Sequence, residues 1–289
     1  MTTTEPSRNK TSPSFPGEGT VRRVRFVSLA EAGQAVLREF ADPSPHKAVC
    51  AVATPEWSAK NTEAALIDGI DILTVSVQAS EHPGLSEDLF KWVADGGPSG
   101  AAPPTTVVVH GAQIIWGSSR AAILAAPDRA ESFLLALIDF CYYENELRKI
   151  EREVGEAWPL LEADSPLAHA VTASDPDRFE DIARRMADML KRRMRLARIV
   201  PHLYQPRPHL PPLANQLIER LRERAHVEDR HEALVSQLDV FERIYEMNSQ
   251  RISDFKAAQH QTTLEWVIIV LLAAEGVLLL IELLWTLGV

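Results

Sequence analysis

The rhythm of hydrophobic and polar positions changes twice along the chain. From Val21 to about Gly117, short β-branched runs alternate with short helical ones. RRVRFVSL, KAVCAVAT and IDILTVSVQ read as strands, LAEAGQAVLREF between the first two as a helix, and LSEDLFKWVADG as a second helix. DGGPSGAAPP reads as a flexible loop. TTVVVHGAQIIWG splits at His110-Gly111 into two apolar runs, which predicts a β-hairpin turning at that pair.

From Asp128 the apolar residues recur at three-and-four spacing instead. Phe133, Leu137, Phe140, Leu147, Ile150 and Val154 predict a helix from about Arg129 to Leu161, with Asp128 as its N-cap. Asp164 to Asp175 reads as a connector. A second helix is expected to open at Asp175 and Pro176, to carry Phe179, Ile182, Met186, Met189 and Leu196 on one side, and to end before the proline-rich PHLYQPRPHLPP. A third is expected to begin near Leu213 and run unbroken to the end of the chain. From His231 its positions keep a 4-3 rhythm through Leu234, Leu238, Phe241, Tyr245, Ile252 and Phe255, a seam suited to a helical stalk. Asn248, Gln259 and Thr262 are polar members of that seam, and Ala273 and Gly276 continue it.

The last change is the loss of polar residues altogether. Leu264 to Leu287 contains no Lys, Arg, Asp, Asn or Gln, and as a helix of about 1.5 Å per residue it is long enough to cross a hydrocarbon core of about 30 Å. The segment predicts one C-terminal transmembrane helix, a tail anchor with the soluble body on one side. Arg251 and Lys256 precede it and no basic residue follows it, which places the body in the cytoplasm or its organellar equivalent. Glu265 at its start, Glu275 near its centre and Glu282 one heptad on are intramembrane carboxylates. Such groups mark either a proton or cation path or a hydrogen bond between the anchors of an oligomer.

The expected fold is therefore α+β: residues 1–20 disordered, an α/β head over 21–125, a helical bundle and coiled-coil stalk over 126–263, and the transmembrane helix over 264–287. A chain of 289 residues holds a sizeable core. Its net charge of −10 argues against polyanion binding by the whole, but Arg184, Lys191, Arg195 and Arg198 line one side of the second helix. That stripe is either a surface for RNA, a ribosome or anionic lipid, or a solvated face paired with neighbouring acids. With only Cys50 and Cys141, a disulfide framework and a cysteine-rich zinc site are excluded, and a reducing compartment fits. His226 and His231, with Glu228 and Asp229, are the one metal-like grouping, poorly spaced for a single helix face. The glycines at 96, 97 and 100 lead into a strand rather than a helix and lack a Lys-Ser/Thr pair, so they do not make a phosphate loop. Neither Gly-x-Ser-x-Gly nor His-Glu-x-x-His occurs, so no enzyme and no cofactor are expected.

Residues 238–275, LDVFERIYEMNSQRISDFKAAQHQTTLEWVIIVLLAAE, resemble the C-terminal signature of the "required for meiotic nuclear division" family. The matching residues are Tyr245, Glu246, Asn248, Arg251, Leu264, Glu265, Trp266 and Glu275, and the hairpin ending in Trp116 and Gly117 is similar to a second family feature. The resemblance implies an inner-membrane protein anchored at its C-terminus and prone to oligomerise. For mitochondrial members it further implies support of organellar translation. This chain looks like a bacterial member, and the resemblance carries over no catalytic residue. The function expected is a membrane-anchored, homo-oligomeric scaffold or assembly protein, tethering a cytoplasmic partner such as the translation machinery; the alternative is an oligomer that conducts protons or ions through its glutamates.

Overall fold

Short apolar segments between residues 19 and 125 pair into a mixed sheet. The computed structural model describes residues 19–28, 35–52, 69–76, 84–97, 102–168 and 178–286. Its strands are β1 (Gly19–Val27), β2 (Ala35–Phe40), β3 (His46–Val52), β4 (Gly69–Ser76), β5 (Thr105–Val109), β6 (Ala112–Trp116) and β7 (Arg120–Ala125), in the order β2-β3-β1-β4-β7-β6-β5. All neighbours are antiparallel except β4 and β7. The helices are α1 (Leu85–Ala94), α2 (Pro127–Asp164), α3 (Phe179–Tyr204), α4 (Pro212–Arg224) and α5 (Val227–Thr286). The protein is thus α+β, with an N-terminal sheet, a mostly helical C-terminal part and one long apolar C-terminal helix.

The chain divides into two compact units, residues 1–150 with 195–232, and residues 151–194 with 233–289. In the first, paired strand residues share a face, and the two faces of the sheet are covered by different helices. On one face Leu73, Val75, Ile115 and Ala122 pack with Leu85, Leu89 and Val93 of α1. On that same face Arg23 forms a two-bond pair with Asp71 directly across from it, at 2.7 and 2.9 Å. The other face carries Phe26, Phe40 and Trp116, and α2 lays Tyr142 and Phe140 on them, with ring centroids 3.9 Å apart for Phe40 and Tyr142. Around these contacts α2 is buried on nearly every side from Phe133 to Leu147, which is the burial expected of a central rather than a surface helix.

The hairpin lies where the sequence places it. β5 and β6 pair from Thr105↔Trp116 to Val109↔Ala112, and the turn residues His110 and Gly111 have φ of 46° and 82°. Both being left-handed, they form the mirror-image turn whose twist suits a two-residue hairpin.

Several expectations are corrected. Ala35–Phe40, read as the end of a helix, is the strand β2, and its Phe40 and Arg38 earn burial or partners across the sheet that a helix on this segment could not reach. The strand β7 was unforeseen because RAAILA has high helix propensity; Ala121, Ala122 and Ile123 are fully buried between β4 and β6, and tertiary burial overrides that preference. Asp128 is not the cap of α2: the helix starts at Pro127, and the carbonyl of Ala126 accepts from the amides of Arg129 and Ala130. α3 runs through Pro201 to Tyr204, held over its last turns by buried Leu196, Ile199 and Leu203. The third long helix is two helices. Ala225 and His226 separate α4 from α5, and His226 has φ of 49°. The break leaves α4 beside the edge strand β5, where Val108, Val109 and His110 face Gln216, Glu219, Arg220 and Glu223 across an open cleft of about 360 Å³. Of residues 1–20, expected to be disordered, Gly19 and Thr20 instead open β1, paired with Val75 and Thr74 of β4. Residues 1–18, the connector beyond Ala168 and the helix opening at Asp175 and Pro176 lie outside the described residues, as does the middle of the DGGPSGAAPP loop.

Candidate functional site

The stalk seam is packed inside the chain for most of its length. Leu234, Leu238, Phe241, Tyr245 and Ile252 are buried, Asn248 with them, and Phe255 is half-buried. In the second unit, Phe241 meets the ring of Trp158 at 4.8 Å, and Leu238 and Tyr245 line a small apolar crevice with Met186, Met189 and Leu190 of α3. Asn248 donates to the backbone carbonyl of Asp164 at 3.1 Å. Asp164 itself, fully buried, accepts from Arg178 at 2.6 Å and from Arg185. The hydrogen bond to this carboxylate raises the pKa of Arg185 and so fastens its charge.

Past Phe255 and Lys256 the burial ends. Lys256 rests its ammonium 4.6 Å from the centre of the Phe179 ring. From Ala257 to Ile281 every side chain is exposed, including Leu264, Trp266, Leu271 and Leu278 at 60% or more. This helix is long and apolar enough to cross a membrane, with a mean hydropathy of 2.5 over its most apolar window and none of that window buried. At its polar shoulder the hydroxyls of Thr262 and Thr263 donate to the carbonyls of Ala258 and Gln259 one turn back, leaving fewer unsatisfied polar atoms where the apolar run starts. Of the three carboxylates, Glu265 accepts from Gln261 at 3.3 Å and Glu275 is exposed, with no neighbouring element among the described residues; the side chain of Glu282 lies outside them.

The basic stripe is set among acids. Arg184 lies 3.3 Å from Asp181 and Lys191 2.9 Å from Asp188, both pairs within α3. These two belong to the second unit. Arg195 and Arg198 belong to the first, where Arg195 reaches Glu146 at 3.4 Å and Arg198 donates to the carbonyl of Pro43 at 3.0 Å. His226 stands exposed 3.4 Å from Asp229, whereas His231 lies against the ring of Tyr204. Among the described residues no three His, Cys, Asp or Glu side chains are grouped to hold a metal ion.

Sequence reasoning missed a buried polar cluster, which gathers on α2 around Asp139. Asp139, 1% exposed, receives Arg38 from β2 at 3.1 Å, His209 Nε2 at 3.1 Å, and the Nε of Arg207 at 3.6 Å. Arg207 lies 4.8 Å over the ring of Tyr143 and bonds the ring nitrogen and carbonyl of His202, and the Nε2 of His202 lies 3.2 Å from Asp42. Its ring is also parallel to Tyr143, with centroids 4.6 Å apart. Arginine only donates, so the Nδ1 atoms of His209 and His202, which face Arg38 and Arg207 at 3.2 and 3.3 Å, accept, and their Nε2–H groups donate to Asp139 and Asp42. Burial lowers the pKa of Arg207 and pushes the Tyr143 phenol up to about 12. Burial likewise raises the Cys141 thiol, which makes it a packing residue and not a nucleophile. The signal available in sequence was a helix interior reading DFCYYENE, too polar to be buried without partners; the partners come from β2 and from the loop between α3 and α4.

The chain matches no protein-family model and no curated protein.

Proposed function

We propose that the protein is a single-pass membrane-anchored scaffold, its sheet and helices held at a membrane surface by the end of α5. One observation carries this reading: the run from Leu264 to Ile281, apolar but for Glu265 and Glu275, is exposed throughout, whereas the earlier part of the same helix buries its apolar seam. Leaving so many large side chains in water would cost about 1.5 kcal/mol or more for each, and a hydrocarbon core removes that cost. Arg251 and Lys256 before the run, with no basic residue in it, support a cytoplasmic body. The networks around Asp139 and Asp164 are spent on internal ion pairs, which fits a binding or assembly role better than catalysis.

The test is extraction of membranes carrying the full chain with alkaline carbonate, beside a chain ending at Thr263. The full chain should stay with the bilayer and the shortened one should leave it. Release of the full chain by carbonate would overturn the reading. A partner held by the body would be identified by crosslinking in intact membranes, with attachment at Arg184 or Lys191 supporting the basic stripe as its contact.

A further inference from the structure

We infer that Glu275 joins two copies of this chain within the bilayer, through a heptad stripe that no part of the described chain covers. The inference rests on the membrane reading and names the partner of the anchor. Gln261, Glu265, Ile268, Leu272, Glu275 and Leu279 follow one another at alternating spacings of four and three along α5, and Glu282 continues the series by position. At about 100° per residue these positions share one side of the helix, and Ala273 and Val277 fall on the other.

Three observations point to a second copy. The first is that the seam ahead of the apolar run is already used: Leu234, Leu238, Phe241, Tyr245 and Ile252 are buried by the chain's own side chains, so a partner has only the apolar run to meet. The second is depth. Glu275 lies about 16 Å along the helix from Leu264, near the middle of a core of about 30 Å, where neither headgroups nor water are within reach. Glu265 differs, since it sits at the boundary and already accepts from Gln261. The third is self-complementarity. A carboxyl group in its acid form both donates and accepts a hydrogen bond, and copies inserted in the same sense hold Glu275 at the same depth. A two-fold axis along the helices therefore sets Glu275 opposite Glu275, with Ile268, Leu272 and Leu279 interleaving above and below. Lipid offers nothing at that depth to satisfy the group.

The experiment uses the full-length chain in native membranes, with single cysteines placed along the anchor and an oxidant that reaches the bilayer. The parent chain, which has Cys50 and Cys141, is the baseline. Leu272→Cys and Leu279→Cys should give disulfide-linked dimers above that baseline, and Ala273→Cys and Val277→Cys should not. In the Leu272→Cys background, Glu275→Leu should lose the dimer, and Glu275→Gln should keep it because an amide also donates and accepts. Dimers from Ala273→Cys alone, a crosslink to a different protein, or a dimer unchanged by Glu275→Leu would each overturn the inference. A chain that resists carbonate yet never crosslinks also overturns it and leaves the anchor standing. A chain released by carbonate defeats the membrane reading itself.

Discussion

The Nε2 of His209 lies 3.1 Å from Oδ2 of Asp139, and this bond closes a ring of donors around a carboxylate that is 1% exposed. Arg38 touches both members, bonding Asp139 through Nε and His209 through Nη2. A related chain lies beside it, in which Arg207 bonds His202 and His202 bonds Asp42, while Arg207 itself faces Asp139. Each imidazole passes an arginine's hydrogen bond on to a carboxylate. Two loops and β2 are thereby tied to the middle of α2.

Removing the acceptor should be costly. Asp139→Ala leaves Arg207, 7% exposed, with no anion beside it, and an uncompensated buried charge costs about 3–5 kcal/mol. Urea unfolding of the purified chain in detergent, followed by fluorescence, measures this. Replacing Arg207 by Met and Asp139 by Leu together should recover much of the loss. A single-variant cost below about 1 kcal/mol, the range of exposed pairs, would mean that the carboxylate does not organise the cluster.

Tyr143 gives the first unit an alkaline limit. Its phenol is raised by burial to about 12, above its ordinary value near 10. The unfolded chain therefore loses this proton first as pH rises. The stability tied to the neutral phenol is whole below about pH 10 and is lost as pH climbs toward 12. Tyr142, raised in the same direction by burial, adds to the trend. Unfolding followed between pH 9 and 12 should show a steep decline in the parent chain and a shallower one in Tyr143→Phe. Parallel pH profiles would remove the phenol from the account.

In the second unit the corresponding anchor is Asp164. Its carboxylate holds Arg178 and Arg185 and its carbonyl holds Asn248. Arg178 and Arg185 are partly exposed, so Asp164→Ala leaves no buried charge and is expected to destabilise that unit by about 1.5–3 kcal/mol, the worth of hydrogen bonds to a charged group. Hydrogen exchange should quicken across α3 from Phe179 and in α5 around Asn248, with α1 and the sheet unchanged. Equal loss of protection everywhere would show the two units to be one cooperative block.

The hairpin turn tests backbone conformation alone. Gly111 has φ of 82° and nothing near the position its Cβ would take, so Gly111→Ala meets no clash and pays only for the left-handed backbone. The expected loss is about 1 kcal/mol. His110→Asn, a residue at ease at positive φ, should be neutral or slightly stabilising. A cost well above that for Gly111→Ala would point to a contact and not to strain.

The elements that were legible are those whose pattern is local. β1, β3, β4, α1 and the hairpin alternate or repeat within themselves, so hydrophobic period sufficed. The misread ones depend on distant residues. Ala35–Phe40 and RAAILA both have helix-forming composition, and each became a strand because a neighbouring strand supplied hydrogen bonds and burial. The break at His226 has neither Gly nor Pro to announce it. Nor did the buried network show itself, since Arg38, Asp139 and His209 are far apart in the chain and have no common motif.

Sequence alone determined the long apolar helix, its three carboxylates and the 4-3 seam before it, because composition and helical period are properties of one segment. Only the tertiary structure decided how the seam is used. Leu234 to Ile252 are covered by side chains of the same chain, such as Trp158 and Met189, and beyond Phe255 nothing described covers the helix. Periodicity states which residues share a face; what packs against that face depends on chain segments far away in sequence, brought there by the folding of the whole.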